Sequence, residues 1–338
     1  MKSLSLPALT GLAHGASDAV AGFLVVQVLM LSSLPAIDYI LFYNVLAFGL
    51  QPVVGLILDT YNVPRRAASI GLFLSALSLT LTWFSLTWGI LLAGLGSAIF
   101  HAGGGSVALT STPNRAAGPA VFTAFGVIGL AIGSQLGFYF SVTRIIAFVL
   151  TLSILAALLW FFPIVRDISP QPDPASSGMK FELLAFALVL AVALRSIVWT
   201  GVQSTATGYS QMALLIALAA GLGKLLGGFA ADRFGWLRYA MTAVISSAFL
   251  LSFRGDTLWL LLAGVFFLQS VTPLSLAALG RLMPSSPALA ASLVLGVAVL
   301  LGGFPLMFAG SNWLASPLGI LLILFVSGGI YLFALRKI

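Results

Sequence analysis

His14 and Asp18 stand four residues apart in Gly11-Leu-Ala-His14-Gly-Ala-Ser-Asp18-Ala-Val-Ala-Gly22-Phe23-Leu24. On a helix that spacing puts both on one face, a turn apart. An imidazole beside a carboxylate in an apolar stretch can take up and release a proton; the alternative is a purely structural pair. His101 lies in Gly94-Leu-Gly96-Ser-Ala-Ile-Phe100-His101-Ala-Gly103-Gly104-Gly105-Ser106. Those glycines allow a close approach by a backbone or a substrate, or else serve tight helix packing around a satisfied histidine. Arg195, in Ala193-Leu-Arg195-Ser196-Ile-Val-Trp199, is a permanent charge with five donors in a planar fork. It needs a carboxylate or an anionic ligand, and Asp18 is the obvious partner. Lys224 is the remaining charge inside an apolar stretch, with a stem long enough to snorkel toward a membrane surface.

These groups must be held by membrane-spanning helices. Of the 338 residues, 60% are hydrophobic and 7% charged, against roughly 25% charged in a soluble domain. Each charge at the bilayer centre costs about 2.5–3.5 kcal/mol, so each asks for a reason. Breaks at charges, Pro and Gly leave about twelve stretches near the ~20 residues a span needs. They cover 8–32, 37–58, 66–84, 87–109, 117–140, 144–165, 182–203, 211–231, 237–253, 257–279, 286–310 and 315–335. The expected organisation is a six-helix bundle over 1–165, a Pro/Ser linker over 166–181 and a second bundle over 182–338. The first stretch lacks a small-residue cleavage pattern and is expected to be a retained helix. Pro273 and Pro305 should kink their helices.

With twelve spans both termini share one side. That side would hold Lys2, Arg65, Arg66, Arg115, Arg166, Lys180, Arg233, Arg238, Arg281, Arg336 and Lys337, and the other only Arg144 and Arg254. The basic side is therefore expected to be cytoplasmic. The net charge of +7 is a topology signal, and no nucleic-acid partner is expected. There is no cysteine, no phosphate-binding G-x-x-x-x-G-K-[ST] and no H-E-x-x-H. Neither an enzyme, a cofactor nor a metal is expected. Gln27, Asn44, Gln203 and Gln269 are polar side chains within or near span ends that could line a cavity or bond between helices.

The halves also repeat. Gly55-Leu-Ile-Leu-Asp59 is followed by Arg65 and Arg66, and Gly228-Phe-Ala-Ala-Asp232 by Arg233. The two aspartates are 173 residues apart, about half the chain. An aspartate there can accept hydrogen bonds from the free N–H groups of a neighbouring helix N-terminus. The arginines can pair with a carboxylate or with lipid phosphate, closing a cytoplasmic gate.

The paired G-x-x-x-D-plus-basic pattern resembles the loops after the second and eighth helices of major facilitator superfamily transporters. Within that superfamily, His14…Asp18…Gly22-Phe23-Leu24, Phe100-His101, Leu194-Arg195-Ser196 and Met283-Pro284 with the run through Gly302-Gly303 resemble the fosmidomycin-resistance type. The resemblance implies an all-α membrane fold of two pseudo-symmetric six-helix bundles. It also implies proton-driven export by alternating access in a bacterial cytoplasmic membrane, by a protein expected to be a monomer. The fifth span, Gly126-Val-Ile-Gly129-Leu-Ala-Ile-Gly133-Ser-Gln135-Leu-Gly137, lacks the Gly-Pro pair common in facilitator antiporters. Asp18, with His14 and His101, would carry the proton. Arg195, Lys224 and the four amides would meet a small amphiphilic or anionic solute. An organic-anion importer or uniporter, or a lipid-handling or scaffold protein on the same fold, are the alternatives.

Overall fold

A computed structural model describes residues 4–31, 36–139, 141–162, 179–205, 210–307 and 311–338. Residues 166–178 of the expected linker lie outside the described residues. Twelve helical segments follow in order, and the described residues contain no strand. They are α1 (Ser5–Leu31), α2 (Ala36–Asn44, Val45–Gly49 and Gln51–Tyr61 in succession), α3 (Pro64–Leu81), α4 (Leu86–Ser111), α5 (Ala117–Gly137) and α6 (Val142–Phe161). Then come α7 (Met179–Thr205), α8 (Ser210–Phe234), α9 (Trp236–Ser252), α10 (Leu258–Ser270 and Thr272–Leu282), α11 (Pro287–Ser292, Leu293–Val297 and Ala298–Gly303) and α12 (Pro317–Leu335). Among the described residues, nine of these helices are long and apolar enough to cross a bilayer. The 17 residues of α9 reach about 26 Å at 1.5 Å per residue, close to the ~30 Å of hydrocarbon.

The boundaries follow local chemistry. Asn62, left-handed at φ 51°, closes α2, and Pro64 opens α3 where its missing N–H costs nothing. Gly235, at φ 92°, makes a one-residue joint between α8 and α9 that a Cβ would strain. Pro273 cannot donate to the helical ladder, so α10 breaks at Val271 and restarts at Thr272. Pro305 goes further than a kink: it lies in the 3₁₀ turn Phe304–Met307 that ends α11. The wide turns Val45–Gly49 and Leu293–Val297 are π-helical.

Large apolar side chains lie on the outside as well as the inside. Leu29, Phe73, Ile154, Phe186 and Phe325 are exposed, whereas Phe23, Phe100, Phe122, Leu188 and Tyr331 are fully buried. Exposed residues of this kind need an apolar solvent. Within the first six helices, α1 and α5 lie backbone to backbone. A methyl added at Gly129 or Gly133 would collide with the backbone oxygens of Gly15 or Ala19. Small residues permit that approach, as membrane helices without a hydrophobic drive between them require.

Candidate functional site

α1, α4 and α5 bring His14, Asp18 and His101 together near mid-helix. His14 Nε2 is 3.2 Å from Asp18 Oδ2, and His101 Nε2 is 3.4 Å from Asp18 Oδ1. The two Nε2 atoms are 3.0 Å apart. Both imidazoles are buried and stand perpendicular, their centroids 4.7 Å apart. Phe122 stacks on His14 at 4.5 Å, and Phe100 closes a further side at 6.0 Å.

The other ring nitrogens fix the tautomers. His14 Nδ1 is 2.9 Å from the Phe122 carbonyl oxygen and His101 Nδ1 is 2.8 Å from that of Ser97. A carbonyl only accepts, so each Nδ1 carries the hydrogen. In the neutral rings both Nε2 atoms therefore present lone pairs, toward each other and toward a carboxylate. Three acceptors at 3.0–3.4 Å repel unless they share a cation. Gly126 on α5 makes the room: a methyl there would stand 2.5 Å from His14 Nε2 and 2.7 Å from Asp18 Oδ2. The sequence signals the pair on α1, but not Gly126 or the Phe122 carbonyl. Only their position in three dimensions assigns them to this site.

Arg195 does not meet Asp18. Buried in the last six helices, it donates from Nε to the Leu268 carbonyl (3.0 Å), from Nη1 to Tyr331 Oη (3.2 Å) and from Nη2 to Thr272 Oγ1 (2.8 Å). The break at Val271 brings Thr272 into that set, and Thr272 donates on to Gln269 Oε1 at 3.2 Å. Three neutral acceptors thus replace the expected carboxylate. Lys224 lies on α8. It is partly buried, close enough to Asp18, His101 and Arg195 to feel their charges. Gln27 is buried and donates to the Gly137 carbonyl, bonding α1 to α5. Asn44 is partly buried beside the π turn of α2, and Gln203 is partly buried near the end of α7.

At the basic end the repeated aspartates form two crossed latches. Asp59 on α2 accepts from the backbone N–H groups of Ala288 (2.9 Å) and Leu289 (2.8 Å) at the start of α11. Asp232 on α8 accepts from Ala116 (2.8 Å) and Ala117 (3.0 Å) at the start of α5, and from Trp236 Nε1 (3.1 Å). Each carboxylate satisfies two orphan donors and meets the positive end of a helix. The glycines let the backbones close: methyls at Gly55 and Gly228 would stand 2.8 Å from the Ala288 oxygen and 2.7 Å from the Ala116 oxygen.

The sequence leaves the arginines beside these aspartates a carboxylate or a lipid phosphate as partner. Among the described residues Arg65, Arg66 and Arg233 meet no carboxylate. Arg65 donates to the carbonyls of Leu159, Trp160 and Phe162 at 3.0, 2.9 and 2.5 Å, at the C-terminus of α6. A cation there matches the negative end of the helix. Arg66 stacks on Trp160 at 5.8 Å and Arg233 on Phe234 at 5.7 Å.

No protein-family model and no curated protein matches the sequence. The fold is matched along its whole length. A variant of the E. coli fucose:proton symporter FucP aligns with a TM-score of 0.71 at 12% identity, over 100% of this chain and 98% of that one. FucP in the outward conformation aligns at 0.75 and 14%, over 99% and 98%. The human organic anion transporter MFSD10 (TETRAN) aligns at 0.70 and 15%, over 98% of each. The chain therefore has the all-α, multi-pass membrane fold of these major facilitator structures.

Proposed function

We propose that this chain is a secondary transporter of the major facilitator type, exporting a small amphiphilic or anionic solute by alternating access and drawing on the proton gradient. The observation that carries the proposal is the pair of crossed latches. They join helices 1–6 to helices 7–12 at one end through hydrogen bonds that rigid-body rocking can break and remake. In this reading the latched, basic end is cytoplasmic and the latched state opens to the other side. A fold neighbour that is by its title a proton symporter, and the resemblance in sequence, support the proton as driving ion.

His14, Asp18 and His101 supply the place for the coupling cation. Lys224, on α8 among the other six helices, offers a positive charge to an anionic solute. Arg195 spends three of its five donors on protein and keeps two N–H groups for the solute, with Gln269 behind Thr272 and Gln27, Asn44 and Gln203 at the margins.

Purified protein in vesicles with an internal pH dye, given a proton gradient and a panel of organic anions and lipophilic drugs, tests the proposal. A solute-triggered proton flux that disappears in Asp18→Asn is expected. A solute that accumulates with no proton movement, unaffected by Asp18→Asn, would replace exchange by a uniporter.

A further inference from the structure

We infer that His14, Asp18 and His101 form a binding site for one divalent first-row metal cation of the zinc type. The inference goes beyond the transport reading and stands on the placement of ligand atoms.

Three features point to a metal. The first is the set of donor atoms: 3.0 Å between the imidazole nitrogens, 3.2 Å from His14 Nε2 to Asp18 Oδ2 and 3.4 Å from His101 Nε2 to Asp18 Oδ1. A tetrahedral ion with bonds of about 2.0–2.1 Å separates its ligands by roughly 3.3 Å, so one ion amid these atoms would reach both nitrogens and the carboxylate. The second is the outer shell. Metal-bound imidazoles nearly always donate their other N–H to a carbonyl or carboxylate, which fixes the ring and aims the lone pair. Both rings do this here, through Phe122 and Ser97, and Ser97 Oγ adds a contact at 3.2 Å to His101 Nδ1. The third is space. Gly126 carries no side chain where a methyl would stand 2.5 Å from His14 Nε2 and 2.7 Å from Asp18 Oδ2, so α5 leaves both ligands room to sit against it.

Two imidazoles and one carboxylate suit Zn²⁺, Co²⁺, Ni²⁺ or Fe²⁺ better than Mg²⁺ or Ca²⁺, which prefer oxygen-only sets. One carboxylate leaves the bound dication with a net positive charge. Lys224 is the other charge in reach, and its ammonium opposes the metal. Metal and proton compete for the same lone pairs, so metal binding should suppress any proton traffic through the site.

The probe is Zn²⁺ titrated calorimetrically into full-length protein in detergent after chelator treatment, with Co²⁺ as a spectroscopic substitute. Wild type is expected to bind one ion per chain and to give Co²⁺ the intense visible bands of four- or five-coordination, with Mg²⁺ inert. Asp18→Asn and His101→Gln should weaken Zn²⁺ at least about 100-fold, the upper end of what losing an outer-shell partner costs. Gly126→Ala should weaken it by pushing against His14 Nε2 and Asp18 Oδ2, and Lys224→Met should tighten it. A melting curve of each metal-free variant shows whether it is folded. Equal Zn²⁺ affinity in wild type and folded His101→Gln, no binding by wild type, or a Co²⁺ spectrum like that of the aqueous ion would each overturn the inference. Solute-triggered proton flux by chelator-treated protein that binds no metal ends this inference and leaves the transporter; tight metal binding without any flux does the reverse.

Discussion

Replacing Asp59 by alanine removes one latch without touching the cation cluster. The carboxylate is partly buried and holds two backbone N–H groups at 2.9 and 2.8 Å. A hydrogen bond to a charged group is worth about 1.5–3 kcal/mol, and an anion at a helix start adds about 0.3–1 kcal/mol. Water can reach this end and refill the donors, which brings the loss down to the cost of an N-cap, about 1–2 kcal/mol. That is a five- to thirty-fold change in the ratio of separated to latched molecules. The chain has no cysteine, so two spin labels can be placed without background, at Tyr61→Cys on α2 and Arg238→Cys on α9. Electron–electron distance measurements should show the longer separations gaining by that factor in Asp59→Ala. Asp59→Asn, which keeps one acceptor oxygen, should fall between. An unchanged distance distribution in Asp59→Ala would refute the latch and with it the main support for alternating access.

Other substitutions separate the remaining claims. Asp232→Ala should shift the same distances less than Asp59→Ala, because Asp232 is more exposed and water replaces it more fully; a larger shift would contradict that ranking. Gly133→Ala should lower thermal stability, since a methyl against the Ala19 carbonyl overpacks two backbones at about 1–3 kcal/mol; an unchanged melting temperature would show that α1 and α5 can part freely. Arg195→Lys exchanges a planar fork for a single ammonium and strands buried partners such as Leu268 oxygen, so about 1–3 kcal/mol of stability should be lost. A wild-type melt for Arg195→Lys would free that arginine from its structural role.

The spans and the paired aspartates are legible in the sequence because both depend on local pattern: apolar length in one case, a repeated spacing in the other. The basis of the latch is legible as well, since a carboxylate near a helix end has few better partners than N–H groups. What escapes are contacts closed by the fold. Arg195 and Tyr331 are 136 residues apart, and His14 and the Phe122 carbonyl 108. No spacing rule joins them, and the choice of Asp18 for Arg195 assumes that mirrored helices place their charges face to face. The partners of Arg65 escape for a related reason: the C-terminal carbonyls of α6 are backbone groups, which no side-chain spacing marks. The π turns of α2 and α11 carry no compositional mark.

The crossed latches make each half incomplete. The first six helices supply the carboxylate of Asp59 but also the bare helix start at Ala116 and Ala117; the last six supply Asp232 and the bare start at Ala288 and Leu289. Each half thus carries one plug and one socket, and neither can satisfy its own. A chain severed between residues 162 and 179 would give two fragments with reciprocal, non-interchangeable docking ends. Co-produced, they should find one another and restore the whole, whereas two copies of the same half would have to pair through contacts that this fold never makes.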